Sequence, residues 1–371
     1  MKIIIAYASA GTGHRRAAEA IYNYFKENCH TFDLKIIDAL QKTNFVFRNL
    51  YSYGYLFLVN HALWLWHFCF WLTSIKCLKL ITNILISIIN RLNAKDFSKF
   101  LIQEKADFII STHFFPSEVA AYLKRAHRLN SKLISVITDF GIHPFWILSG
   151  TDIYIVASAF TKEQLILKGV QEDNIKDSGI PIDSKFLKQY EKNILCKKLD
   201  IEPNKFTILI STGSSGIGRI EKIVDSLYKE VQILVVSAHN KILYARLRKR
   251  NYPEVRVFGF IDNIQELMAV SDIIITKPGG LTISESLAMD LLPIFIAAIP
   301  GQETENAKIL AKKSIGINIK DAASIKDIVL DFRDHPDKLK SMKEKISELK
   351  KPFAVKELCN VICQGSFRAA C

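Results

Sequence analysis

Short β-branched runs and amphipathic stretches alternate along nearly the whole chain, the pattern of buried parallel strands covered by helices. Lys2 to Ala8 reads as a first strand, Ser9 to Gly13 as a tight loop and His14 to Glu27 as a helix. Leu34 to Ile37, Phe108 to Ser111, Leu133 to Thr138 and Ile153 to Val156 read as further short buried strands. The segment Gly179-Ile180-Pro181-Ile182-Asp183 breaks this rhythm, and a second series begins at Phe206 to Ile210. Its later strands are Val231 to Ser237, Val255 to Phe258, Ile273 to Thr276 and Ile294 to Ile299, and Lys338 to Lys350 has the charge of a surface helix. A chain of 371 residues is long for one core and comfortable for two α/β domains. The expected division is therefore residues 1–180 and residues 181–351, with a last helix after Pro352.

Chemistry concentrates where the strands end. After Ile273 to Thr276, Pro278, Gly279 and Gly280 let the backbone come close to a ligand, and the helix from about Thr282 points free N–H groups at the gap. A diphosphate fits there, held by Gly280, Leu281 and Thr282. The same Thr282-x-x-Glu285 spacing also reads as a capping box that only satisfies helix-end donors. Pro293 opens a second apolar strand, and the Pro300-Gly301 turn brings Gln302, Glu303 and Asn306 to the same rim. The loop Ser211 to Gly218, with Gly213 and Ser214, is a second potential phosphate cradle.

The loop Ala8 to His14 contains G-x-G, but Arg16 replaces the third glycine of a dinucleotide fingerprint. A histidine at a helix start feels the positive dipole end, which favours its neutral, proton-accepting form. His14 thus suits a general base, or simply fills a helix entrance. Asp139 is the rival base or the carboxylate that orients His14, while His113, His143 and Trp146 serve either loop packing or an acceptor.

Composition narrows the partners. The 50 basic and 37 acidic residues leave a charge of +13, which favours an anionic partner. The seven cysteines include no C-x-x-C pair, so a metal or disulfide framework is not expected and a reducing cytosol fits. The N-terminus does not read as a signal peptide, and no Asp-x-Asp pair offers a seat for a divalent ion. Between Asp38 and Asp96 there is no acidic residue, yet Trp64, Trp66, Trp71 and several Lys and Arg lie there among long apolar runs. That composition suits a monotopic contact with an anionic membrane surface better than a bilayer span, and better than nucleic acid. A buried helical hairpin is the structural alternative.

KPGGLTISE, the apolar strand after Pro293, PGQETEN and the opening GTGHRRAAEAI resemble, in order and spacing, the monogalactosyldiacylglycerol synthase and processive diacylglycerol glucosyltransferase family. The resemblance implies a GT-B fold, two Rossmann-like domains facing across a cleft, with the terminal helix 352–371 returning to the first. It implies an inverting transferase that moves glucose or galactose from UDP-glucose or UDP-galactose to diacylglycerol at the cytoplasmic face of the membrane, with no cofactor. Gly13 and His14 then belong to the acceptor side, with Asp139. Glu285 is implied for ribose, and Gln302, Glu303 and Asn306 for the hexose. Asp290 departs from the glycine usual at this helix end, a position that asks for a left-handed backbone. Other readings are a UDP-N-acetylglucosamine transferase to a polyprenyl-linked acceptor, a UDP-sugar epimerase, and a membrane-bound nucleotide-sugar sensor without catalysis.

Overall fold

The computed structural model describes residues 1–9, 11–54, 88–213, 219–299, 301–319 and 324–365, and the chain divides into two compact units. Unit 1 comprises Met1–Ser184, Ile299–Gln302 and Lys351–Cys371, and unit 2 comprises Lys185–Ala298 and Glu303–Lys350. Each unit is built on a six-stranded parallel sheet.

In unit 1 the strands are β1 (Lys2–Tyr7), β2 (Asp33–Asp38), β3 (Phe108–Ser111), β4 (Lys132–Val136), β5 (Ile153–Ile155) and β6 (Ile175–Lys176), in the order β2-β1-β3-β4-β5-β6. Ile3, Ile4 and Ile5 are consecutive and all fully buried, because a parallel strand is covered on both faces. Ile3 and Ile5 pack with Ile21 and Phe25 of helix α1 (Thr12–Asn28), whereas Ile4 and Ala6 pack with Phe115 and Val119 of helix α2 (Phe114–Arg125). Alternate residues of one strand thus choose opposite layers.

In unit 2 the strands are β7 (Thr207–Ser211), β8 (Gln232–Val236), β9 (Val255–Phe258), β10 (Ile273–Thr276), β11 (Leu292–Phe295) and β12 (Ile317–Asn318), in the order β12-β11-β10-β7-β8-β9. Helix α3 (Gly280–Ala288) follows β10, and helix α4 (Gln302–Lys312) follows β11. Helix α5 (Ala354–Gly365) lies in unit 1, where Leu358 and Ile362 join the cluster of Ile3, Ile5 and Phe25.

Both sheets change direction once. β1 stands between β2 and β3, and β7 stands between β10 and β8, so the chain leaves β1 and β3, and likewise β7 and β10, on diverging courses. Such switch points open a crevice at the C-terminal strand ends, where ligands of α/β proteins bind. Two differences from the sequence expectation are local. The edge strands β6 and β12 are two residues each, too short to give a hydrophobic period. Helix α3 starts at Gly280 rather than near Thr282.

Candidate functional site

The crevice of unit 1 is built around His14. Gly11, at φ +93°, stands at the N-cap of α1, a conformation that side chains rarely adopt. No side chain caps this helix, and its first turn carries no acid, so its N–H groups are left to another partner. Ahead of Gly11, Asp38 receives the Ser9 N–H at 3.3 Å and the Ser9 hydroxyl, which ties the loop to the end of β2.

The His14 ring is fixed at one nitrogen. Its Nδ1 lies 2.8 Å from the Thr112 carbonyl oxygen and 2.8 Å from the Thr138 hydroxyl. A carbonyl only accepts, so Nδ1 carries the hydrogen and Nε2 keeps the lone pair. Thr112 closes the clamp by donating its hydroxyl to the His14 carbonyl at 2.9 Å. Desolvation lowers the His14 pKa from 6.5 to about 4, outweighing the bond to Thr112, and the ring is neutral at neutral pH. His113 takes the opposite tautomer: its Nδ1 accepts from the Phe115 N–H at 3.1 Å, which leaves the hydrogen on Nε2. The two rings meet edge to face with centroids 4.5 Å apart. Burial first, and then His14, holds the His113 pKa well below its usual value.

Of the other unit 1 candidates, Gly13 lies in the first turn of α1, and Asp139 follows Thr138 at 8% exposure. His143 caps a short turn by accepting from the Phe145 N–H at 3.3 Å. Trp146 takes the packing alternative rather than the acceptor one. It is 1% exposed among Ile137, Tyr154, Val156 and Leu165, so it is core, and its indole N–H has no acceptor. Trp64, Trp66 and Trp71 lie outside the described residues, as does Ser214.

The crevice of unit 2 is polar and charged. Gly279 is the N-cap of α3, with no side-chain cap and no acid in the first turn. Thr282 is therefore inside the helix, and the capping-box reading of Thr282 and Glu285 does not hold. Gly280, Leu281 and Thr282 supply the first-turn amides, and space is open in front of Gly279. Glu285 is 4% exposed on the same helix. Beside it, Gly213 has φ +77°, and a Cβ there would stand 3.8 Å from Lys277 Cε. Lys277 directly follows β10 and pairs with Glu303 of α4 at 3.3 Å. Gln302, partly buried, opens α4. Asn306, expected at the hexose, lies inside the fold. It is fully buried and donates to the Pro278 carbonyl at 3.0 Å, so it holds α4 to the loop after β10.

Sequence reasoning gave Lys277 no role, although a cation directly before a glycine turn is a signal. Thr112, Thr138 and Thr212 lie in segments it placed at strand ends, but the contacts of Thr112 and Thr138 with His14 join residues far apart in the chain. Among the described residues no group of His, Cys, Asp or Glu could hold a metal ion.

The family model described as monogalactosyldiacylglycerol (MGDG) synthase matches residues 14–182, and that described as glycosyltransferase family 28 C-terminal domain matches residues 207–358. A processive diacylglycerol beta-glucosyltransferase of Staphylococcus haemolyticus is 34% identical over 265 residues, 70% of this chain and 67% of that one. One from Bacillus cereus is 28% identical over 367 residues, 97% of this chain and 93% of that one. Among solved structures, Acinetobacter baumannii MurG has a TM-score of 0.58 at 13% identity, covering 98% of this chain and 99% of its own. Phytolacca americana UGT2, complexed with UDP-2fluoro-glucose and pterostilbene, has a TM-score of 0.66 at 12% identity, with 98% and 99% coverage. These structural likenesses show the GT-B fold. Both halves of the sequence agree, and the chain belongs to the monogalactosyldiacylglycerol synthase and processive diacylglycerol glucosyltransferase family.

Proposed function

We propose that this protein is a glycosyltransferase that makes a β-glycosyldiacylglycerol by moving glucose or galactose from a UDP-sugar to the hydroxyl of diacylglycerol. Membership of the family, through both halves of the chain, carries this reading. The local geometry supplies a mechanism. His14 Nε2 takes the acceptor proton, and the acceptor oxygen attacks the anomeric carbon from the face opposite the diphosphate, which inverts its configuration. Asp139 belongs beside His14 on the acceptor side. The first-turn amides of α3 hold the departing diphosphate without need of a metal. Glu285 binds ribose hydroxyls, and Gln302 and Glu303 reach the hexose.

The acceptor is a membrane lipid, and unit 1 has a surface to meet it. Phe45, Val46 and Leu50 are 68%, 74% and 71% exposed near one end of the acid-free segment, and Leu92 is 61% exposed near the other. Arg48 lies over the Phe45 ring, 5.5 Å from its centroid. Exposed aromatic and aliphatic groups with basic neighbours fit the interface of an anionic leaflet. No helix among the described residues is long and apolar enough to cross a membrane. In this reading the protein sits on the cytoplasmic face as a monotopic protein, held by these exposed apolar and basic groups.

The test offers radiolabelled UDP-glucose, UDP-galactose and UDP-N-acetylglucosamine with diacylglycerol vesicles. Label in a glycolipid from either hexose is the expected result. Donor binding without transfer would replace this reading with a sensor, and transfer only from UDP-N-acetylglucosamine would replace glucose or galactose as the transferred sugar.

A further inference from the structure

Three features meet at the switch point of unit 2, and the transfer mechanism uses only one of them. The first is the uncapped start of α3. The second is Thr212, fully buried at the end of β7, whose hydroxyl has no hydrogen-bond partner. A buried hydroxyl left unsatisfied is costly and marks a place where a ligand atom completes the bond. The third is Lys277. Register places Thr276 beside Ser211, so Lys277 and Thr212 follow neighbouring strands out of the sheet. Lys277 is 16% exposed and Glu303 is 19% exposed, and their 3.3 Å separation is longer than a tight charge-assisted bond. Glu305, in the same first turn of α4, turns instead to Lys308 at 3.7 Å.

A half-buried ion pair of this kind is ready to exchange partners. The incoming diphosphate offers Lys277 more charge than one carboxylate does, and it brings acceptor oxygens for Thr212. We infer that Lys277 is the cation of the donor pocket, and that it trades Glu303 for the donor's diphosphate as the UDP-sugar enters, so that Glu303 turns to accept from the hexose. The inference rests on the donor reading above and adds a coupling to it: the hexose contact forms only after the phosphate contact has displaced it. In transfer, the bond from the anomeric carbon to the β-phosphate oxygen breaks and its electron pair stays on the diphosphate. The acceptor oxygen forms the new bond and its proton leaves to a base. The diphosphate therefore gains one negative charge, so Lys277 holds UDP more tightly than UDP-hexose.

Calorimetric titration of the full chain with UDP, UMP and UDP-glucose tests this, using wild type, Lys277→Met, Lys277→Arg and Glu303→Gln. One charge-assisted contact corresponds to about a tenfold to hundredfold change in affinity. Lys277→Met is expected to weaken UDP by that factor and UMP far less, while Lys277→Arg recovers part of the loss. Glu303→Gln is expected to bind UDP at least as tightly as wild type but to lose affinity for UDP-glucose relative to UDP. Wild-type UDP affinity in Lys277→Met would overturn the inference, and so would equal weakening of UDP and UMP in a folded variant. Should Lys277→Met fail to fold, Glu303→Gln decides alone: weaker UDP binding would overturn the exchange. A wild-type protein that binds no UDP would instead remove the donor reading itself, and the exchange with it.

Discussion

At the switch point of unit 1 two histidines meet edge to face with both rings neutral, whereas at that of unit 2 a lysine and a glutamate meet as an ion pair. The frames around them are alike. Each crevice lies where a parallel sheet reverses its order, and each includes a helix that starts at an uncapped glycine with no acid in its first turn. What differs is the treatment of charge. Unit 1 desolvates its ionisable rings and pins their tautomers, which keeps a lone pair available to take a proton. Unit 2 keeps fixed charge and open amides, which suits a ligand that is itself charged. In the proposed function a shared frame serves proton transfer in one unit and phosphate binding in the other, and the side chains at the strand ends decide which.

The sharpest way to break the comparison is to remove the proton acceptor. His14→Ala is expected to lower the transfer rate by about a hundredfold to ten-thousandfold, the usual worth of a general base, as measured by single-turnover transfer of labelled hexose. Full activity would pass the role of base to Asp139, and full activity of Asp139→Ala as well would take proton chemistry away from unit 1. A smaller effect is expected from the tautomer clamp. Thr138→Val should cost about fivefold in kcat with little change in KM for the donor, since one neutral hydrogen bond is worth about 1 kcal/mol, and Thr138→Ser should recover it. Equal loss in both variants would make Thr138 a packing residue only.

Acidification sharpens the contrast further. His14 titrates at about 4 in the folded protein against 6.5 ordinarily, so between these values the unfolded chain binds more protons. Its contribution to folding is complete above about pH 6.5 and is lost as pH falls toward about 4. Urea unfolding across that range should show a steeper loss for wild type than for His14→Gln. The smallest effect lies away from both crevices. Asp290 adopts φ +53° and is held by Lys350 at 2.7 Å, so Asp290→Gly relieves strain and removes an ion pair together. A change within about 1 kcal/mol in unfolding free energy, with transfer unaltered, is expected.

Much of this architecture was legible in the sequence, because β-branched runs such as Ile273–Thr276 are both the strand and its signal. The left-handed Asp290 could also be read, because the resembled family has glycine at this helix end. The helix start at Gly280 could not be placed, because a capping box imitates a start at Thr282 and only the fold shows that no side chain caps it. Asn306 and Trp146 looked like ligand groups for a similar reason. Residue type suggests a contact, but burial decides whether the side chain faces a ligand or the protein's own backbone. The clamp on His14 joins residues about a hundred positions apart, and pairing at that range has no signal in a single sequence.

The division of labour between the two crevices is tested most directly by the affinity for UDP of His14→Ala and Lys277→Met, titrated side by side with wild type. The account predicts wild-type affinity for His14→Ala and a loss of about tenfold or more for Lys277→Met. Equal losses in the two variants, or a loss confined to His14→Ala, would contradict it.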